Sequence, residues 1–312
     1  MGRFRRGTGA VALVAAMVAG ALVVFAPQGD GRGSGCSPNL ERLVARGCEI
    51  SAADTSAARR PRPIWGSIDC VSAGRHRRMR PGGDRDRQSD GARQRNRSFR
   101  RLRVFDGDDL FGERCELGRN DHLDGEGGGD GTLALYGEGE HRITFASYRF
   151  PRGLPIKTSL WQTILQMKQA QPYSNANSDS VALELQLSDQ RIHLHNNWNR
   201  LWSSRRIQRN TWTRVALDVS YSAQPASGRV KLYVDANADG DARDRREQSP
   251  SFQTATLKRE TVSSPETGLV AGSSIPSHLR VGLYHDLGIR CKRPRGCPIH
   301  VDNVQVTAPI GG

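Results

Sequence analysis

The chain is 312 residues long, with 46 Lys+Arg against 32 Asp+Glu, a formal net charge of +14 and a sequence pI of about 10.2. The excess is local, because residues 59–103 hold 15 Arg and 4 Asp, a net +11, whereas residues 1–58 carry +2 and residues 104–312 only +1. A diffusely basic nucleic-acid-binding surface is thereby excluded, and the length allows one large domain or two small ones.

In chain order, residues 1–26 read as a signal peptide. Arg3, Arg5 and Arg6 precede an apolar run from Ala10 to Phe25 that is shorter than the ~20 residues a membrane-spanning helix needs. The expected localisation is therefore extracellular, with no membrane attachment once the leader is removed. Residues 27–58, rich in Gly, Ser and Ala, read as a linker with one tethered loop. Residues 59–98 form an Arg-rich segment with a first strand near 64–70; beyond it, 71–98 have neither helical nor alternating periodicity and read as disordered or as a long surface loop. All six Cys (36, 48, 70, 115, 291, 297) follow the leader, and an even count in an exported chain favours disulfides. Sequence alone leaves the pairing open; closeness suggests Cys36 with Cys48 and Cys291 with Cys297, leaving Cys70 to meet Cys115. The CxxC spacing of a structural zinc site is absent.

From Phe99 onward the signals are those of strands. SFRRLRVF, TLALYGE, HRITFASYRF, SLWQTILQMKQ, SVALELQL, RIHLH, TWTRVALDVSY, RVKLYVD, LRVGLYHD and PIHVDNVQV alternate or carry β-branched and aromatic residues, and Gly, Pro, Asn, Asp and Ser separate them. Ten or more strands without an amphipathic helix predict, for residues 99–312, an all-β sandwich of jelly-roll type with a concave groove.

Alternation then assigns faces. With Leu165 and Met167 in the core, Ile164, Gln166 and Lys168 share the opposite face. Arg114 and Glu116 share a face while Cys115 turns the other way. Val281 and Leu283 take the core side, leaving Arg280 and Tyr284 outward with Gly282 opening space between them. His193 and His195 lie on one side of their strand, followed by Asn196, Asn197 and Trp198.

These residues carry a resemblance. GERCELGRND, SYRFP followed by LWQTILQMKQ, HLHNNW, VGLYHD and HVDNVQV, with WGSIDC at 65–70, resemble secreted bacterial polysaccharide lyases of the heparin-lyase-like group, relatives of the jelly-roll (concanavalin A-like) alginate and glucuronan lyases. The resemblance resumes after the Arg-rich segment, at Phe99. Residues 113–117 look like the Arg-x-Glu-Leu strand lining the groove in alginate-lyase relatives. Lys168 stands where those relatives have His, and Arg280 with Tyr284 reproduces a basic residue four before a catalytic Tyr.

The resemblance implies cleavage of a uronic-acid polymer by β-elimination. The C5 proton becomes removable when hydrogen bonds or positive charge neutralise the neighbouring carboxylate. Gln166 is the candidate for that role, assisted by Arg114 or Asn196, and Glu116 belongs to the same substrate-binding set. Tyr284 is the candidate acid, and the base too where both groups leave from one side; His195 is the other candidate base. Lys168 and Arg280 bring positive charge near Tyr284, and Trp198 offers a stacking surface for sugar. The expected partner is an anionic polysaccharide bound by a monomer, with no nucleic acid and no cofactor required for catalysis.

Asp235, Asn237, Asp239 and Asp241 have the alternating D-x-N-x-D-G spacing of a Ca²⁺ loop, with Glu247 one place late for an EF-hand. Structural calcium and a plain hairpin turn are the two readings. The alternative for the whole chain is a non-catalytic carbohydrate-binding or cell-surface adhesion protein on the same sandwich. Glycoside hydrolysis by Glu113 and Glu116 is disfavoured, since residues three apart on a strand face opposite sides.

Overall fold

In a computed structural model, the described residues are 48–50, 67–71, 75–79, 99–108, 112–118, 135–170, 181–263, 265 and 268–309. The signal-peptide expectation and nearly all of the linker lie outside them. No α-helix occurs among the described residues, and the strands form two large antiparallel sheets packed as a jelly-roll sandwich.

One sheet runs β14 (Phe252–Gln253), β13 (Arg229–Asp235), β12 (Trp212–Ser220), β7 (His141–Arg149), β18 (Cys297–Pro309), β4 (Phe99–Val104) and β3 (His76–Met79), with β1 (Cys48–Ile50) also on β18. The other runs β11 (Asn199–Ser203), β10 (Arg191–Asn196), β9 (Val181–Ser188), β8 (Gln162–Gln169), β17 (Ser277–His285), β5 (Arg114–Gly118) and β2 (Ser67–Cys70), with β6 (Leu135–Tyr136) on β17. A short ribbon pairs β15 (Lys258–Arg259) with β16 (Ser274–Ile275).

Alternation built this arrangement. Leu165, Met167, Leu183, Leu185, Leu194, Val281 and Leu283 of one sheet meet Leu102, Tyr148, Val215, Leu217, Leu232 and Ile299 of the other in a single core. Each fully buried aliphatic contributes about 1.5–3 kcal/mol. A smaller cluster on the outer face of the first sheet joins Ile143, Phe145, Ala216 and Tyr233 to Ala242. The loop between β13 and β14 thus folds back over that face.

Two expectations need correcting. Residues 76–79, read as part of a structureless stretch, form β3, which pairs with β4 from His76↔Leu102 to Met79↔Phe99. An HRRM tetrapeptide has no apolar alternation to reveal it; backbone pairing at a sheet edge suffices. Similarly, Cys48–Ile50, placed in the linker, pairs with the end of β18. Cys70–Cys115 and Cys291–Cys297 are disulfide-bonded, while Cys36 lies outside the described residues. The first bond ties β2 to the strand that carries Arg114 and Glu116.

Candidate active site

The face of the second sheet turned away from the core carries two ranks of paired residues. One runs His195↔Glu184↔Gln166↔Arg280↔Gly118, and the next runs His193↔Gln186↔Thr163↔Tyr284↔Arg114. Although these side chains do not face the core, Glu184, Gln166, His193, Arg280 and Arg114 are all buried. The face is therefore recessed. A bulge at Thr163–Leu165 shifts the register, so Thr163 joins this face and Ile164, expected there, goes into the core.

Tyr284, half-buried, is held from two sides. The guanidinium carbon of Arg114 lies 4.1 Å from its ring centroid, and Trp161 meets the ring edge-on at 4.9 Å. Gly112 lies beside it: its φ is +97°, and a Cβ there would lie 2.6 Å from Tyr284 Cε2. Trp161 thus walls the tyrosine.

The amide Nε2 of Gln166 donates to Glu116 Oε1 at 2.7 Å, although β17 lies between their strands. Gly282, the Cα partner of Glu116, has no side chain to stand between them. A Cβ there would come within 2.3 Å of the Cys115 carbonyl oxygen. Arg114 Nη1 lies 3.7 Å from Glu116 Oε2. Burial pushes the Glu116 carboxyl up, with Arg114, Gln166 and Lys168 pulling the other way. Glu116 is fully buried, so it underpins Gln166 and Arg114 instead of meeting sugar as expected.

Arg280 Nε donates to His278 Nε2 at 3.3 Å, and burial lowers Arg280 to about 10. His278 is also the Cα partner of Lys168, which is half-buried. Arg114, Gln166, Lys168, Arg280 and Tyr284 thus occupy three adjacent strands, on the outward faces that alternation assigned to them.

His195 stands apart. It lies on β10, three ladder spacings from β17, or about 14 Å at ~4.8 Å per spacing. That spacing leaves it outside the group of Tyr284, Arg114, Gln166 and Arg280 on three adjacent strands, which weighs against its role as alternative base. Burial also lowers His195 to about 4, with His193 and Arg200 adding to the effect against a hydrogen bond with Trp198. Asn196 needs correcting as well. Its Nδ2 donates to Ala182 O at 2.9 Å and Ala255 O at 2.7 Å, and its Oδ1 accepts from Thr254 at 3.1 Å. With its amide hydrogens donated to the start of β9 and to the loop at Ala255, it does not assist Gln166. Trp198 is exposed in the β10–β11 turn.

Sequence reasoning missed Glu184, Gln186, Thr163 and His278 on this face. Glu184 accepts from Thr163 Oγ1 at 3.0 Å and Gln186 Nε2 at 2.9 Å, and burial raises its carboxyl. The signal was present: Glu184 and Gln186 alternate within VALELQL, and His278 sits two before Arg280. Glu113 points elsewhere, accepting from Gly107 N at 2.8 Å with His285 Nδ1 3.7 Å away. This agrees with the opposite faces expected of Glu113 and Glu116.

In the Asp-rich loop, Asp235 Oδ2 accepts from Gly240 N at 3.1 Å, and Asn237 Nδ2 donates to Asp239 at 2.8 Å and Asp244 at 3.0 Å. Asp239 and Asp241 accept from backbone amides. Asp235 Oδ1 is buried with no hydrogen-bond partner. Among the described residues, the loop's carboxylates do not bring three oxygens within 4.8 Å of one another.

A jelly-roll sandwich with a recessed face of Arg, Lys, Gln and Tyr defines a class first, that of carbohydrate-active β-sandwich enzymes. The polysaccharide lyase family profile matches residues 82–305, and the chain belongs to that family. The match opens at residue 82, inside the Arg-rich segment and earlier than the expected Phe99. No curated protein matches significantly. Among solved structures, the alginate lyase from Corynebacterium sp. aligns with a TM-score of 0.43 at 13% identity, over 67% of this chain and 76% of that one. A family 7 alginate lyase in complex with substrate (GGMG) aligns at 0.42 and 9%, over 69% and 80%. A GH131 beta-glucanase catalytic domain from Podospora anserina aligns at 0.38 and 14%, over 70% and 76%. These scores are low, and membership rests on the sequence match.

Proposed function

We propose that this polysaccharide lyase cleaves a uronic-acid-containing polysaccharide by β-elimination, with Tyr284 as both base and acid. The observation that carries the reading is the grouping of Tyr284, Arg114, Gln166 and Arg280 on three adjacent strands, with His195 three strands away. Gln166, Arg280 and Lys168 would face the substrate carboxylate and stabilise charge as the C5–H bond breaks. The Tyr284 phenolate takes that proton, the C4–O bond breaks as the C4=C5 double bond forms, and the phenol so formed passes the proton to the departing oxygen and returns to phenolate. Arg114, held by Glu116, lies against the ring that carries the phenolate charge before it takes the proton and after it gives it up.

The test is a panel of alginate, glucuronan, heparin, hyaluronan and pectate, each assayed for new unsaturated ends by ultraviolet absorbance. One responding polymer names the substrate; silence on all five overturns the uronate reading.

The protein acts after export, as a monomer. Two disulfides and the charged, apolar N-terminus support export, and no helix among the described residues is long and apolar enough to cross a membrane. We propose structural calcium in the 235–247 loop as a separate point: the buried, unpartnered Asp235 Oδ1 supports it, and the other carboxylates, now held by backbone amides, would have to close on the ion. Asp235, Asn237, Asp239 and Asp241 would hold the ion, which would pin the loop over its apolar cluster.

A further inference from the structure

We propose that the β10–β11 turn is a distal subsite for a uronate residue of the same polymer, bound several sugars from the cleaved bond, with Trp198 as its platform and Arg200 and Lys258 as its cations. This rests on the uronate-lyase reading and extends it to where the polymer is held away from Tyr284.

Trp198 is 55% exposed, and it is the only aromatic among the exposed large hydrophobic side chains of the described residues. Its φ is +67° and that of Asn197 +48°, as the two central residues of a two-residue β-hairpin turn require, and hydrogen bonds around the turn secure it. Asn197 N donates to Ala182 O at 3.2 Å, and the Asn196 side chain ties the strand end to Ala182 and Ala255. Lys258 Nζ donates to Asn197 Oδ1. These bonds fix the backbone that carries Trp198, and an exposed aromatic side chain on a fixed backbone binds a sugar ring at a reduced entropic cost.

The turn adjoins the recessed face. Trp198 O lies 3.4 Å from His195 Nδ1, and His195 belongs to the rank that continues through Glu184 and Gln166 to Arg280. Arg200, exposed, is the Cα partner of His195. Lys258 reaches the turn through Asn197 Oδ1, so the turn that carries Trp198 also brings two cations, the chemistry that selects an anionic sugar over a neutral one. His193 and His195 supply polar floor without charge: burial leaves both neutral near pH 7. The three strand spacings to Tyr284, about 14 Å, accommodate intervening sugars of one chain.

Retention of Tyr284→Phe protein in native gels containing alginate or glucuronan measures binding without turnover. Adding Trp198→Ala or Arg200→Ala should weaken retention about tenfold, while Trp198→Phe and Arg200→Lys recover most of it. In the active chain, either Ala substitution should bring kcat/KM for long polymer down towards that for the tetrasaccharide. Unchanged retention with an unchanged long-to-short ratio overturns the subsite, as does a parent protein retained by neither polymer. Retention that depends on Trp198 and Arg200 in a protein releasing no unsaturated ends keeps the subsite and removes the lyase reading. Variants are compared at matched unfolding temperature, and the conservative pair decides if an Ala variant fails to fold.

Discussion

Arg114 and Tyr284 are Cα partners across the β5–β17 ladder, and the guanidinium of one lies 4.1 Å from the ring centroid of the other. A cation is thus built against the phenol, in a position set by backbone pairing. If the phenol moves the proton, Tyr284→Phe keeps the ring, the Arg114 contact and the Trp161 contact. It should lower kcat by about 10²–10⁴ with polymer binding retained. Near wild-type release of unsaturated ends would remove Tyr284 from the mechanism.

Gly112 tests the same ring without removing its hydroxyl. A methyl group in Gly112→Ala would overlap Tyr284 Cε2 at 2.6 Å, and the +97° φ adds strain. Displacing a reacting group by about 1 Å costs on the order of 10² in rate. Stopped assays should show that loss in kcat; full activity would mean that the ring position is not critical.

Gln166 and Glu116 should separate in kinetics. Gln166→Ala removes the donor aimed at developing charge and should cost about 10²–10³ in kcat. Glu116→Gln keeps an acceptor for the Gln166 amide but removes the charge beside Arg114, so a smaller loss, about tenfold, is expected. Equal losses would place the Glu116 carboxylate in the chemistry itself.

His300 gives a stability prediction with a definite sign. Burial, with Arg149, Arg101 and Arg103 adding to it, lowers it to about 3 from an ordinary 6.5. Below pH 6.5 the unfolded chain gains a proton that the folded chain refuses. The stability this group contributes is therefore whole above pH 6.5 and is lost as pH falls from 6.5 towards 3. His300→Phe keeps an aromatic ring beside Phe99, whose ring lies 4.7 Å away and tilted by 33°, and cannot titrate. Urea unfolding should show the variant gaining about 2 kcal/mol on wild type between pH 7 and pH 5; a constant difference would refute this.

Calcium should raise the unfolding temperature of the full chain, and chelator should lower it, with Asp235→Asn abolishing both shifts. No movement in either direction leaves the 235–247 segment as a turn held by its own amides.

By itself the sequence determined most of the sandwich. Strand periodicity from Phe99 onward located the major strands and sorted Leu165, Met167, Val281 and Leu283 inward from Gln166, Arg280 and Tyr284, because a period of two carries one face to the core and the other to water. Strands that lack that contrast, such as His76–Met79, were invisible. Tertiary structure alone decided which outward faces are neighbours. Strand order is a long-range property, and it inserted β17 between β8 and β5 while leaving β9 and β8 between His195 and Tyr284. That order let Gln166 reach Glu116 across Gly282, moved His195 out of the reaction centre, and gave exposed Trp198 a place at the far end of the same polar floor.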